Sequence, residues 1–148
     1  RRRPGVSHPG LEIVSHARDT GVPIGAVPGA SALTAALSIA GLRAAGFTFY
    51  GFLPLKKGRE TLYNEIARSS RASVFYESPH RIVKTLEALA KRLQGSRRVG
   101  LYRELTKLYE EHVVGTAAEV LMQVTSNPAT QRGEVVVIVE GSYNKAHV

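Results

Sequence analysis

The chain has 148 residues and no cysteine, with 20 lysines and arginines against 12 aspartates and glutamates, a formal net charge of +8. That length suits one domain, or one domain and part of another, with a real buried core, and the lack of cysteine excludes a disulfide framework and thiolate chemistry. The basic balance favours a polyanionic partner such as nucleic acid, since phosphate contacts release counterions.

The N-terminus, Arg1-Arg2-Arg3-Pro4, is not followed by the apolar run of a secretory signal, and the weakly polar stretch Ala30 to Leu42 is too short to span a bilayer. A soluble protein of a reducing compartment, the cytoplasm, is the expectation. A polar turn from Gly5 to Gly10 leads into a helix with Leu11, Val14 and Ala17 on one face, capped by Ser7 or a neighbour and ended by Gly21. Val22 to Val27 reads as a short strand ending at Pro28-Gly29. Ser31 then caps a helix from Ala32 to about Ala40 whose residues are small or apolar, as in a helix covered on most sides. Gly41 to Gly46 is a glycine- and alanine-rich connection and the best boundary in the chain. It divides the sequence into 1–46, 47–141 and a loose tail, 142–148.

Beyond the boundary, Phe47 to Leu53 reads as a strand running into the basic loop Pro54 to Arg59, where Lys56, Lys57 and Arg59 cluster. A helix with Leu62, Ile66 and Ala67 inward follows, then the strand Ala72 to Tyr76. Ser78-Pro79 is a helix start, with the apolar stripe Val83, Leu86, Leu89, Ala90 and Leu93 behind it. His80 and Arg81 would then sit in a first turn where the helix dipole disfavours positive charge, offset in part by Glu77. A second basic cluster, Lys91, Arg92, Arg97 and Arg98, surrounds the next loop. Val99 to Glu104 is a further strand, and Gly115-Thr116 begins a helix carrying Val120, Leu121 and Val124. After the polar loop from Ser126 to Gly133 comes Glu134 to Glu140, so uniformly β-branched that it suits a central strand covered on both faces. Strands alternating with helices predict an α/β sandwich built on a mixed sheet.

In such a sheet ligands sit beyond the carboxyl ends of the strands. Three strands end in polar motifs, Pro28-Gly29-Ala30-Ser31, Glu77-Ser78-Pro79-His80-Arg81 and Arg103-Glu104-Leu105-Thr106-Lys107, and Glu134 opens the last strand, which together predict one shared cleft. Each of these motifs has a plainer reading as an ordinary loop or an Arg–Glu pair.

The same motifs carry a resemblance. Val27-Pro28-Gly29-Ala30-Ser31-Ala32, Gly51-Phe52-Leu53-Pro54-Leu55-Lys56, Phe75-Tyr76-Glu77-Ser78-Pro79-His80-Arg81, Arg103-Glu104-Leu105-Thr106-Lys107 with Glu110-Glu111, and Gly133-Glu134 follow one another as in the tetrapyrrole methylase superfamily. Within it they resemble the branch that methylates a cytidine ribose 2′-oxygen in small-subunit ribosomal RNA. The resemblance implies S-adenosylmethionine bound in a cleft between two α/β subdomains of a homodimer. Residues 1–46 would end the cofactor-side subdomain and 47–141 form the second. The superfamily's N-terminal part, with its glycine-rich loop, has no counterpart here, Arg1 to Arg3 replace an Asp-Ala-Gly segment, and His8 stands where Asp is usual.

By position, the resemblance implies that Pro28, Ser31, Ala32, Glu77, Leu105, Gly133 and Glu134 line the cofactor. His80, Arg81, Arg103 and Lys107 fall on the substrate side, where Lys107 or His80 could take the ribose proton or simply bind phosphate. Lys56 and Lys57 are expected to anchor RNA. No metal is implied. Two other readings share the fold: a methylase of tetrapyrrole precursors, and a noncatalytic RNA-binding or dimerisation fragment.

Overall fold

The computed structural model describes residues 10–44 and 46–142, with the side chains of residues 130 and 131 left aside. The opening turn with Ser7 and His8, and the tail beyond Ser142, lie outside the described residues.

Helix α1, Leu11–Asp19, buries none of its residues. It ends as Gly21 predicts. The Val22 N–H reaches the Ala17 carbonyl at 2.8 Å and the Gly21 N–H reaches that of Arg18 at 3.2 Å, with φ +72° at Gly21, a left-handed turn that glycine enters without steric cost. The expected strand from Val22 to Val27 does not form. These residues are exposed and make no ladder among the described residues, and Pro23 and Gly25 interrupt the short run: one lacks the donor a ladder needs, the other has no side chain to pack. Helix α2, Ala32–Ile39, starts after Ser31 as expected, although the Ser31 side chain makes no capping hydrogen bond. It is not covered on most sides, since it fully buries Ala36 alone and exposes Thr34, Ser38 and Ile39, its small residues serving one face that lies on the sheet.

The rest of the described chain is organised on one five-stranded sheet in the order β1-β2-β5-β3-β4. Its strands are β1 Phe47–Phe52, β2 Ala72–Glu77, β3 Arg98–Arg103, β4 Glu111–Thr116 and β5 Val135–Val139. β1 and β2 pair in parallel, and β5 runs antiparallel between β2 and β3 with Val135 opposite both Glu77 and Arg103. The sheet is mixed, as predicted, and β5 is central and buried along its length. β4 was not expected. It pairs antiparallel with β3 at the edge of the sheet, and its Val113 alone is buried, so its sequence carries little of a strand's apolar pattern.

Helices α3 (Arg59–Arg68), α4 (Ile82–Ala90) and α5 (Ala117–Ser126) supply apolar residues to the core on one face. There Ile66, Leu86, Leu89 and Val120 meet Phe75, Leu101 and Val137, each such side chain contributing about 1.5–3 kcal/mol when fully buried. On the other face α2 packs Ala36 and Ala40 against Val74, Tyr76, Tyr102, Val136 and Ile138, small residues allowing the close approach. The start of α5 is a capping box: Thr116 Oγ1 accepts from the Glu119 N–H at 3.3 Å and Glu119 Oε2 from the Thr116 N–H at 2.7 Å. The expected helix start at Ser78-Pro79 is displaced. Residues 78–81 form a turn closed by the Arg81 N–H on the Ser78 carbonyl at 2.9 Å, and α4 begins at Ile82, leaving His80 and Arg81 ahead of the helix.

Candidate active site at the strand ends

The alternation of directions brings the carboxyl ends of β1, β2 and β3 to one rim of the sheet, together with the start of β5 and the N-terminus of α2. Two adjoining hollows open there. The larger, of about 480 Å³, is lined by Ala32, Phe52, Tyr76, Glu77, Ser78, Pro79, Glu104, Lys107, Gly133, Glu134 and Val135. The smaller, of about 180 Å³, shares Ala32, Glu104, Lys107 and Glu134 and adds Ala30, Ser31, Ala35, Tyr102, Leu105, Thr106 and Val136. The shared cleft expected from the polar strand ends is therefore present.

Its wall is built by the loop after β3. Glu104 and Thr106 have φ of +50° and +64°, conformations that cost a residue with a side chain free energy and that cluster at functional sites. The loop is held by hydrogen bonds in both directions: the Glu104 N–H donates to the Glu134 carbonyl at 3.1 Å, and Glu104 Oε1 accepts from the Glu134 N–H at 2.9 Å and from Lys107 Nζ at 3.0 Å. These bonds, the Glu134 N–H first and then Lys107, hold the Glu104 carboxyl below its ordinary value of 4.5. Gly133, at φ +79°, lies so close to the Glu104 carboxylate that a Cβ there would collide with it. The Thr106 N–H donates to Glu110 Oε2 at 2.6 Å, closing the far end of the loop.

Glu77 lines the larger hollow, but its carboxylate is committed elsewhere. Although it stands at a strand end, it is 2% exposed. Oε2 accepts from Thr85 Oγ1 at 2.7 Å and from Arg59, while Oε1 accepts from the Ser78 N–H at 2.8 Å and from Arg81 Nε at 3.2 Å. Arg59, grouped by sequence with the solvated lysines of its loop, points inward instead and also donates to Tyr63 Oη and the Pro54 carbonyl. Glu77 thus joins β2, α3 and α4 behind the hollow.

Of the residues expected to line the cofactor, Ser31, Ala32, Glu77, Leu105, Gly133 and Glu134 border one hollow or the other, whereas Pro28 is exposed and borders neither. Of the four expected on the substrate side, Lys107 alone borders them. Arg81 is paired with Glu77, and Arg103 is held by Glu111 Oε2 at 2.8 and 3.1 Å and by the Arg132 carbonyl at 3.4 Å. The exposed His80 donates its N–H to Ser78 Oγ at 3.3 Å. Lys56 and Lys57 are exposed on the loop between β1 and α3. Among the lining residues to which the sequence assigned no role, three stand out. Phe52 and Tyr76 make an aromatic wall with ring centroids 5.4 Å apart, and Glu104 orders the loop. Phe52 ends β1, Tyr76 stands one residue before the end of β2 and Glu104 follows β3, and these strand-end positions are the signal that could have selected them.

A mixed sheet with ligand-sized hollows at its strand ends is a common enzyme architecture, and comparison with known proteins narrows it. Residues 3–121 match the family model for Tetrapyrrole (Corrin/Porphyrin) Methylases. The chain belongs to that family. It is 41% identical to "Ribosomal RNA small subunit methyltransferase I" of Vibrio cholerae over 93% of this chain and 48% of the relative. Proteins of the same name from Xylella fastidiosa and Bacillus subtilis are 43% and 41% identical, over 94% and 96% of this chain and 51% and 48% of theirs. The chain thus spans about half the length of these relatives. Among solved structures it resembles the methyltransferase CobJ, with a TM-score of 0.63 and 23% identity over 90% of this chain and 57% of that one. It also resembles uroporphyrin-III C-methyl transferase of Thermus thermophilus, solved with S-adenyl homocysteine, at TM-score 0.60 and 21% identity over 93% and 61%. At these identities the likeness is one of fold.

Proposed function

We propose that this chain is part of an S-adenosylmethionine-dependent methyltransferase acting on the 2′-oxygen of a cytidine ribose in small-subunit ribosomal RNA. The single observation that carries the reading is the rim where Glu104, Lys107, Gly133 and Glu134 border one hollow with Phe52 and Tyr76. Identity to relatives named for ribosomal RNA supports the substrate class. The net charge of +8 agrees with a polyanionic substrate.

The hollow fits such a cofactor. Its 480 Å³ lies within the usual range for small-molecule sites, its aromatic and small apolar residues suit a flat purine, and Glu104 and Glu134 suit a molecule carrying a sulfonium and an ammonium. When bound, the cofactor supplies an electrophilic methyl group. Ala32, Gly133 and Glu134 would hold it, and the Glu104 loop would fix its position before the substrate arrives, so that the ordering cost is met in folding rather than in the reaction. Lys107 would stand on the substrate side, its ammonium already tethered to Glu104 and able to steer a ribose or a neighbouring phosphate. Arg81 and Arg103, through Glu77 and Glu111, would keep the rim rigid. A division of the chain at residue 46, a homodimer and a cytoplasmic location belong to the same reading. The exposed Leu11, Ile13 and Val27 offer apolar surface for such assembly.

The test is methyl transfer from labelled S-adenosylmethionine to small-subunit ribosomal RNA by the full-length protein carrying this chain, followed by mapping of 2′-O-methylated nucleotides. A single methylated cytidine ribose is expected. Methylation of a base, or of a tetrapyrrole precursor in preference to RNA, would replace this reading.

A further inference from the structure

The second basic cluster of the sequence is not used by the strand-end site. It lies on the opposite rim of the sheet, where β3 begins at Arg98 and β5 gives way to Glu140. Five residue steps of β3 separate the two rims, about 17 Å at the usual strand rise. Here the surface forms a broad basin of about 1060 Å³ walled by Arg43, Arg68, Arg92, Arg97 and Arg98, with Glu140 as the one carboxylate among its described lining residues.

The basin is preorganised, and mostly by uncharged partners. Arg97 donates to three carbonyls, those of Ile66 at 3.1 Å, Ala67, and Glu140 at 3.0 Å, tying the end of α3 to the end of β5 without neutralising its own charge. Arg98 Nη2 reaches Glu140 Oε1 at 2.9 Å and the Gly41 carbonyl at 3.1 Å. Arg92 is held by Asn64 Oδ1 at 3.0 Å and the Ala88 carbonyl at 2.9 Å, besides its pair with Glu60. Arg43, Arg68 and Arg98 are exposed around this framework. The fixed guanidiniums supply positive charge while their N–H groups hold the framework, and the exposed ones can offer forks that match phosphate geometry. A protein that must hold an RNA segment in register gains from contacts away from the reacting ribose.

We propose that this basin is a second RNA contact, binding backbone phosphates of the substrate on the side of the sheet opposite the reaction. The inference rests on the reading of RNA as substrate.

The test compares the chain with an Arg43→Gln/Arg68→Gln variant, both positions being exposed, for binding to a labelled fragment of small-subunit ribosomal RNA over a range of salt. Loss of two phosphate contacts should reduce the slope of log affinity against log salt by about 1.4–1.8. Between 50 and 200 mM salt the unsubstituted chain should then lose roughly tenfold more affinity than the variant. Arg43→Lys/Arg68→Lys should keep most of the slope, and circular dichroism should show both variants folded. An unaltered slope in the glutamine variant overturns the inference while leaving the RNA reading standing, provided that Lys56→Ala/Lys57→Ala does flatten it. If the unsubstituted chain shows no salt-dependent RNA binding at all, both fall together.

Discussion

Glu104 and Glu134 clasp each other across the strand-end rim: the Glu104 N–H donates to the Glu134 carbonyl at 3.1 Å, and the Glu134 N–H donates to Glu104 Oε1 at 2.9 Å. This pairing holds a loop containing two left-handed non-glycine residues against the start of the central strand, and it carries Lys107 with it.

The clasp has a pH signature. The Glu104 carboxyl is held below its ordinary 4.5, so its contribution is fully present above that value and is lost as pH falls through the lower folded value. Amide exchange at Glu134, corrected for intrinsic rates, should therefore be slow and flat from pH 7 to about pH 5 and quicken under more acidic conditions. Glu104→Gln should weaken the clasp at neutral pH and remove this acid-dependent step. Unchanged Glu134 protection in that variant would show that the side-chain bond does not hold the loop.

Glu77→Ala should destabilise the fold by about 3–5 kcal/mol, since it strands the Arg59 guanidinium in a site where the arginine side chain is 11% exposed. Urea denaturation measures this. A variant of near-normal stability that has lost ligand binding would make Glu77 a ligand-contacting group instead of a brace.

Gly133→Ala tests the closeness of the loop. At φ +79°, with the Glu104 carboxylate where a Cβ would stand, alanine must strain the backbone and push the carboxylate away. A loss of at least about 1 kcal/mol is expected, together with a changed Glu134 amide shift. Neutral stability and an unmoved Glu134 resonance would mean that the approach is looser than described.

Lys56→Ala/Lys57→Ala should flatten the salt dependence of RNA affinity by about 1.4–1.8, as the loss of two phosphate contacts requires. Binding of S-adenosylhomocysteine should be untouched, because neither lysine borders the strand-end hollows. An unchanged slope would remove the pair from the RNA path.

The elements with strong patterns were legible. β5 is a run of valines and isoleucine, α2 a run of small and apolar residues, and Gly115-Thr116 marked the start of α5, though its cap through Glu119 came from the structure. β4 was hidden because an edge strand with one buried valine shows no alternation, and the strand read at Val22 lacks a ladder among the described residues. At the site, residue type indicated which positions meet at the rim but not where side chains turn. Glu77 and Arg103 sit at the right strand ends, yet Glu77 is tied to Arg59, Arg81 and Thr85, and Arg103 to Glu111. The pair with Arg81, four residues on, is the Arg–Glu pair that the motif itself allowed. Thr85, Arg59 and Glu111 lie 8 to 18 residues away, Glu111 on the unexpected β4, and local sequence pattern does not report them.

The central claim, that the rim between α2 and the strand ends is the cofactor site, is tested most directly by titrating S-adenosylhomocysteine into isotopically labelled chain and following backbone amide shifts. The account predicts weak but saturable binding, with shifts concentrated at Ala32, Phe52, Gly133, Glu134 and Lys107, and none at Arg97 or Ser142 on the opposite rim. Saturable shifts centred on that opposite rim, or no shifts at millimolar ligand, would contradict it.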